Sequence, residues 1–195
     1  MSDPALKEVY AAIAELWCNP EDVDLSVARK TAAELAVRLG SRDAAGGAAL
    51  ARFLESPPCD DYVETFELDP KCSLYLGSHS YDEPRTCATA GVSERNDYMI
   101  DLVGVYRHFG FAPNGKELPD YLPLVIELLS LTAGSTDPTR RKLLEEYVVP
   151  HLSGLRSSLE RLGTPYLHLF DAFMSVIKLD VDGYAEATPT EATHD

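Results

Sequence analysis

The sequence predicts an all-α protein, a single-domain helical bundle or globule that occupies residues 1–181. Apolar residues recur at steps of three and four along most of the chain, which is the spacing of one face of a helix. Proline and glycine interrupt these segments at short intervals, as turn residues do. No segment alternates polar and apolar residues as a half-buried strand would. Repeated amphipathic helices with short connections favour one helical core.

The first three helices are predicted from apolar stripes and from the residues that end them. The first stripe stops near Asn19-Pro20. The second covers Leu25–Leu39, and Gly40 then suits the left-handed position after a helix end. A third, alanine-rich helix covers about Asp43–Glu55, although its Gly46-Gly47 pair lowers helix propensity.

The middle of the chain is predicted to contain a short helix, a loop and a long helix. An aspartate at position 60 or 61 can cap the short helix, which Asp69-Pro70 closes. Residues 81–91 have the composition of a loop. Ser93 then caps a long helix that Gly110 ends.

Proline and glycine also divide the C-terminal half into helices. Leu118-Pro119-Asp120 starts one helix, and Asp137-Pro138 starts the next with a capping carboxylate and a first-turn proline. That helix must kink or break before Pro150, and its continuation ends at Gly163. Thr164-Pro165 opens the last helix. Its predicted apolar stripe consists of Leu167, Phe170, Met174 and Ile177.

Composition restricts the partners of the protein. The formal net charge of −15 repels phosphate backbones and anionic lipid, so we expect no nucleic-acid partner and no membrane insertion. A basic or apolar partner fits this charge better. The N-terminal sequence shows no secretory signal, and we expect a cytoplasmic protein. Residues 182–195 are polar, and we expect them to form a disordered acidic tail.

Two sets of side chains could carry function. Cys72, His79, Cys87 and His108 could act as soft metal ligands in a small metal- or thiol-dependent enzyme or redox sensor, or they could be structural thiols and surface histidines. Acidic residues cluster in segments 60–67 and 117–127. Carboxylates beside apolar residues suit either a solvated surface or the binding of an Arg- or Lys-bearing peptide.

Two segments carry a more specific signal. Residues 61–68 read DYVETFEL and residues 71–76 read KCSLYL, and residues 117–127 read ELPDYLPLVIE. The first resembles the "DYVETFD…CSLYL" signature, and the second is similar to the "ELPDHLPLVLEF" segment, of NarJ-type nitrate reductase assembly chaperones. A softer match is Gly163-Thr164-Pro165-Tyr166. Tyr121 stands where the family usually has histidine, and the region 77–95 departs from the common "GDTRRRG"-like run.

The resemblance implies a TorD-like helical fold, monomeric or weakly dimeric, without catalytic activity and without a permanently bound cofactor. It implies a partner, the apo catalytic subunit of a nitrate reductase or a related molybdoenzyme, bound often at its N-terminal segment. That client receives a molybdenum bis-guanine dinucleotide cofactor. Carried onto this sequence, the client-peptide-binding residues would be Tyr62, Glu64, Phe66, Glu67, Tyr75, Glu117, Pro119, Asp120 and Tyr121.

Overall fold

A computed structural model describes residues 4–56, 62–81, 93–113 and 115–187. Within these ranges the chain is all-α, as the sequence predicts, and its extended contacts are limited to one antiparallel bridge between Tyr75 and Tyr121. The aspartates at 60 and 61 and most of the predicted loop, residues 82–91, lie outside the described residues.

The N-terminal helices are α1 (Pro4–Leu16), α2 (Leu25–Arg42) and α3 (Ala44–Glu55). Asp24 caps α2 by accepting from the Val27 amide, and the Asp43 carboxylate caps α3. The prediction that Gly40 ends α2 is wrong, because the helix continues through this glycine to Arg42.

Gly40 instead allows α2 and α3 to approach each other closely. A Cβ added at Gly47 would overlap the backbone of Gly40 and would lie 2.8 Å from the Ala36 carbonyl oxygen. A Cβ at Gly46 would overlap the Ser175 side chain of the last helix. The glycines that weaken α3 in the sequence are therefore the residues that let it pack.

The central helices are α4 (Tyr62–Phe66) and α5 (Glu94–His108), with a 3-10 turn at Leu76–His79 between them. Ser93 caps α5, as predicted, by accepting a hydrogen bond from the Asn96 amide at 3.2 Å. Gly110 follows the helix with a left-handed φ of +80°, as the glycine signal indicates.

The next helix, α6 (Leu122–Leu131), starts later than predicted, because Tyr121 is extended and bridges to Tyr75. The helix that Asp137 caps is α7 (Pro138–Lys142). It continues as a π-helical turn and then a 3-10 turn around Pro150, and α8 (Leu152–Leu162) follows. The predicted break at Pro150 is confirmed.

The last helix, α9 (Tyr166–Ala187), corrects two predictions. Residues 182–187 are helical rather than part of the expected tail, and the remainder of that tail lies outside the described residues. Leu167 and Met174 are only half-buried. The buried stripe consists of Tyr166, Leu169, Phe170, Ala172, Phe173, Val176 and Ile177.

Helix α1 lies at the centre of the packing. It contacts α2, α6 and α9, while α3 fills the space between α2 and α9. Its residues Tyr10 and Ile13 are fully buried, and so is Trp17, which directly follows the helix. The other side of α1 is left free to form one wall of a surface cleft. None of the helices in the described ranges has the length and apolar character needed to cross a membrane.

Candidate functional site

The two motif segments, which are more than forty positions apart in the sequence, lie side by side. Main-chain hydrogen bonds join them: the Leu76 amide donates to the Asp120 carbonyl at 3.0 Å, and the Leu122 amide donates to the Leu74 carbonyl at 2.8 Å. The bridge places the residues just before α6 against the segment that enters the 3-10 turn.

Tyrosine side chains strengthen this junction. The Tyr75 hydroxyl donates to the Glu117 carboxylate at 2.6 Å, and the Tyr75 and Tyr121 rings lie 5.6 Å apart. The Tyr62 hydroxyl donates to the Trp17 carbonyl at 2.9 Å and lies 3.4 Å from the Tyr121 hydroxyl. Four predicted side chains, those of Tyr62, Tyr75, Glu117 and Tyr121, therefore meet near the end of α1.

A cleft of about 540 Å³ opens beside this junction, between α1 and the start of α6. Its walls include two of the predicted residues, Glu117 and Tyr121. The other lining residues are Ala11, Ala14, Glu15, Cys18, Asn19, Asp22, Val23, Lys116, Pro123, Leu124 and Glu127. Alanine, valine, proline and leucine thus share the cleft with four carboxylates and one lysine.

The carboxylates make the cleft electronegative. Burial, together with the charges of Glu15, Asp22 and Glu127, raises the pKa of the Cys18 thiol to about 11. Burial likewise raises the pKa of Tyr121 to about 12, with Glu117 among the contributing charges. Both groups keep their protons at neutral pH, so the cleft presents negative charge and apolar surface. Such a mixture suits a basic side chain with an apolar neighbour.

The structure places the predicted site residue Asp120 inside the protein and not on the cleft surface. Its side chain is fully buried, and one carboxylate oxygen accepts from the Gly77 amide at 3.0 Å. The Arg95 guanidinium lies 3.9 Å from the same oxygen. Burial raises the pKa of this carboxyl group, although the Gly77 hydrogen bond and Arg95 oppose the shift. Asp120 holds the two segments together and does not face the cleft.

Two further predicted residues are part of the core. Tyr62 and Phe66 are buried, with ring centroids 5.1 Å apart, and both pack against Tyr166. Phe66 also contacts Trp17 edge-on at 6.0 Å. These aromatic side chains shape the protein beneath the cleft and expose little surface to a partner.

The remaining predicted residues lie at the periphery. Glu64 is exposed and forms a 3.4 Å ion pair with Lys71. Glu67 accepts a hydrogen bond from the side-chain amide of Asn19, which belongs to the cleft wall. Pro119 is half-buried. Glu67 is therefore close to the cleft, whereas Glu64 pairs with Lys71 and is not among the residues that line the cleft.

The cysteine and histidine set does not assemble in the described part of the chain. Cys72 is a buried free thiol, while His79 bonds to a main-chain carbonyl oxygen at 2.8 Å. His108 lies 2.7 Å from the Asp137 carboxylate. Cys87 lies outside the described residues. Within these limits, no three His, Cys, Asp or Glu side chains are placed to hold a metal ion.

Sequence reasoning missed the wall that α1 contributes. Ala11 and Glu15 are four residues apart, so they share one helix face beside the core stripe, and Cys18 follows just after the end of α1. Glu127 follows Leu124 by three residues on α6 and shares its face in the same way. The spacing was readable, but only the packing of α1 against α6 shows that the two faces border one cleft.

Fold and site together define a class: an all-helical protein with a small acidic cleft. Comparison with known proteins shows what the chain is similar to. The chain is 33% identical over 127 residues to the probable nitrate reductase molybdenum cofactor assembly chaperone NarW of Escherichia coli, covering 64% of this chain and 50% of that protein. No family model matches the chain.

Two NarJ proteins are similarly related. The nitrate reductase molybdenum cofactor assembly chaperone NarJ of E. coli is 31% identical over 136 residues, which is 69% of this chain and 52% of that protein. The probable NarJ of Bacillus subtilis is 29% identical over 119 residues, which is 61% of this chain and 58% of that protein. The chain is similar to NarJ-type assembly chaperones, and its matches span about half the length of these relatives.

Proposed function

We propose that this protein is an assembly chaperone for the molybdenum-containing catalytic subunit of a nitrate reductase or a related molybdoenzyme. It binds the subunit before cofactor insertion, through a basic and apolar segment that includes or lies near the N-terminus of the client. It has no chemistry of its own. The molybdenum bis-guanine dinucleotide cofactor goes to the client and not to this protein.

One observation carries the proposal: a NarJ-type motif residue, Glu117, lies in a cleft whose other carboxylates come from α1 and α6. A cleft of this volume accommodates a few side chains rather than a whole helix. We therefore expect it to take one basic side chain and an adjacent apolar one. Burial of the apolar part supplies affinity at roughly 25 cal/mol per Å², and the carboxylates orient the segment.

The first test is calorimetric titration with a synthetic peptide that copies the N-terminal segment of the molybdenum subunit encoded beside this protein. We expect saturable binding that weakens between low and moderate salt, because the attraction is partly between exposed charges. Replacing Glu117 and Glu127 together by Gln should weaken binding roughly tenfold, since each loses a charge-assisted hydrogen bond.

The matched control is Glu34→Gln, which removes the same charge from an exposed position on α2 outside the cleft. Its affinity should equal that of the wild type. If the double variant in the cleft binds as tightly as Glu34→Gln, the cleft is not the binding site. A peptide in which the basic residues are replaced by Gln should lose both affinity and salt dependence.

A further inference from the structure

Asp120 is a buried carboxylate whose contacts lie within the protein. The Gly77 amide donates to its Oδ2 atom, Arg95 stands 3.9 Å from that atom, and the main-chain carbonyl accepts from Leu76. Its Oδ1 atom is buried with no hydrogen-bond partner among the described residues. A buried charge with so few partners costs stability, so packing alone does not account for it.

Gly77 is fitted to this carboxylate. A Cβ added at this glycine would lie 2.9 Å from Asp120 Oδ2 and 3.3 Å from the Arg95 side chain. Any larger residue at position 77 must push the carboxylate or the arginine away. We call Asp120, Gly77 and Arg95 the clasp.

The clasp is adjacent to the cleft but does not line it. Tyr121, the next residue after Asp120, lines the cleft, and so does Glu117, three residues earlier. The Glu117 carboxylate is held by the Tyr75 hydroxyl, which lies two residues from Gly77 on the clasped segment. Loss of the clasp contacts would therefore free Glu117 and Tyr121, both of which line the cleft, at the same time.

We propose that Asp120 is a positioning residue: through Gly77 and Arg95 it fixes segment 74–77 against segment 117–122, so that Glu117 and Tyr121 face the client. This inference rests on the proposed function of the cleft. It assigns different roles to two acidic residues of the same motif: Glu117 contacts the client, and Asp120 acts through Glu117.

Salt dependence distinguishes these two roles. A carboxylate that touches the client contributes to the salt dependence of binding. We expect Glu117→Gln to weaken peptide binding and to flatten the slope of log affinity against log salt. Asp120→Asn and Gly77→Ala displace Glu117, so each should weaken binding by roughly fivefold to thirtyfold and flatten that slope as well. In a Glu117→Gln background the same two substitutions should leave the slope unchanged, because a positioning residue has no charge contact of its own with the client.

The double variant Asp120→Asn with Glu117→Gln gives a second readout. If Asp120 acts through Glu117, the two substitutions together should cost little more than the larger one alone. The control is Asp43→Ala, which removes the α3 cap and its hydrogen bond from Ser175 and so lowers stability away from the cleft. Its affinity for the peptide should not change.

Amide hydrogen exchange tests the clasp without any client. Asp120→Asn should increase exchange at the amides of Gly77, Leu76 and Leu122 by at least about tenfold relative to the rest of the chain, because these amides hold the junction. Unchanged exchange at all three amides would overturn the inference. A further loss of salt dependence when Asp120→Asn is added to Glu117→Gln would overturn it as well, because Asp120 would then contact the client directly. If the wild-type protein does not bind the peptide, the proposed function is refuted. The hydrogen-exchange experiment would still test whether Asp120 holds the two segments together, because it needs no client.

Discussion

At the scale of single residues, the described chain contains a second buried charge that is far better satisfied than Asp120. The fully buried Arg140 donates to both carboxylate oxygens of Asp180, at 2.6 and 2.9 Å. It also donates to the carbonyls of Thr132 and Leu129 at 2.7 and 3.3 Å. The Tyr10 hydroxyl donates to the same aspartate at 2.8 Å. The network joins α1, the end of α6, α7 and α9.

Removing one partner of this network should be costly. Asp180→Asn leaves the Arg140 guanidinium buried without its counter-charge, and we expect a loss of about 3–5 kcal/mol in the free energy of unfolding. Glu145→Gln is the control, because it breaks an exposed pair with Arg141 one helical turn apart and should cost at most about 0.5 kcal/mol. Urea denaturation measures both. If Asp180→Asn and Glu145→Gln lowered the free energy of unfolding equally, Arg140 would be hydrated in the folded protein.

At the scale of helices, the contact of α2 with α3 depends on backbone approach. Gly40 and Gly47 face each other at this crossing, and a side chain on Gly47 has no space. Because the obstructing atoms are backbone atoms, they cannot move aside as the end of a flexible side chain can. The crossing therefore requires glycine where helix propensity disfavours it.

Two Gly→Ala substitutions should have opposite effects. Gly47→Ala forces α2 and α3 apart and should destabilise the protein by about 1–3 kcal/mol. Gly104→Ala lies on the exposed face of α5, where an added Cβ meets nothing within 4 Å, and should stabilise by about 0.5–1 kcal/mol. The midpoints of urea denaturation would show that one substitution destabilises the protein and that the other stabilises it. A stabilised Gly47→Ala would mean that the helices separate without cost.

At the scale of the whole molecule, two histidines connect the 3-10 turn at Leu76–His79 with the residues that lead into α8. His79 donates its Nε2 hydrogen to the Ser73 carbonyl at 2.8 Å, while His151 Nδ1 lies 2.7 Å from the Ser80 hydroxyl. His79 also packs against Gly154. Burial lowers the pKa of both histidines; the Ser73 bond and Asp120 partly oppose this for His79, and the neighbouring His79 lowers that of His151 further.

These shifts predict that stability falls in mild acid. In the unfolded state the histidines have their ordinary pKa of 6.5, whereas in the folded protein their pKa values are lower. Between these pKa values the unfolded state therefore binds more protons than the folded state. The free energy of unfolding should therefore decrease as pH falls from about 7 through this window. Urea denaturation at several pH values measures it.

The variant His79→Gln should reduce that pH dependence, since one of the two buried imidazoles is gone. His168→Gln provides the comparison at a histidine on α9, outside this pair. If both variants keep the wild-type pH profile, the histidines are hydrated in the folded protein and burial does not govern their titration.

The sequence by itself determined the helical class and many helix ends, because those signals are local. Ser93, Asp137 and Gly163 act on backbone groups within a few residues, and their roles are confirmed. The motifs also indicated the family and named Glu117 and Tyr121, which the structure places in the cleft. Which residues form the binding surface stays a prediction until the peptide titration is done.

Only the tertiary structure decided which motif carboxylates face outward. Glu117 and Asp120 have the same charge and stand three residues apart, but one lines the cleft and the other is fully buried against Gly77. The acidic wall from α1 likewise depends on its packing against α6. Burial is a property of contacts between residues distant in the sequence, whereas helical periodicity records only neighbours within a few residues.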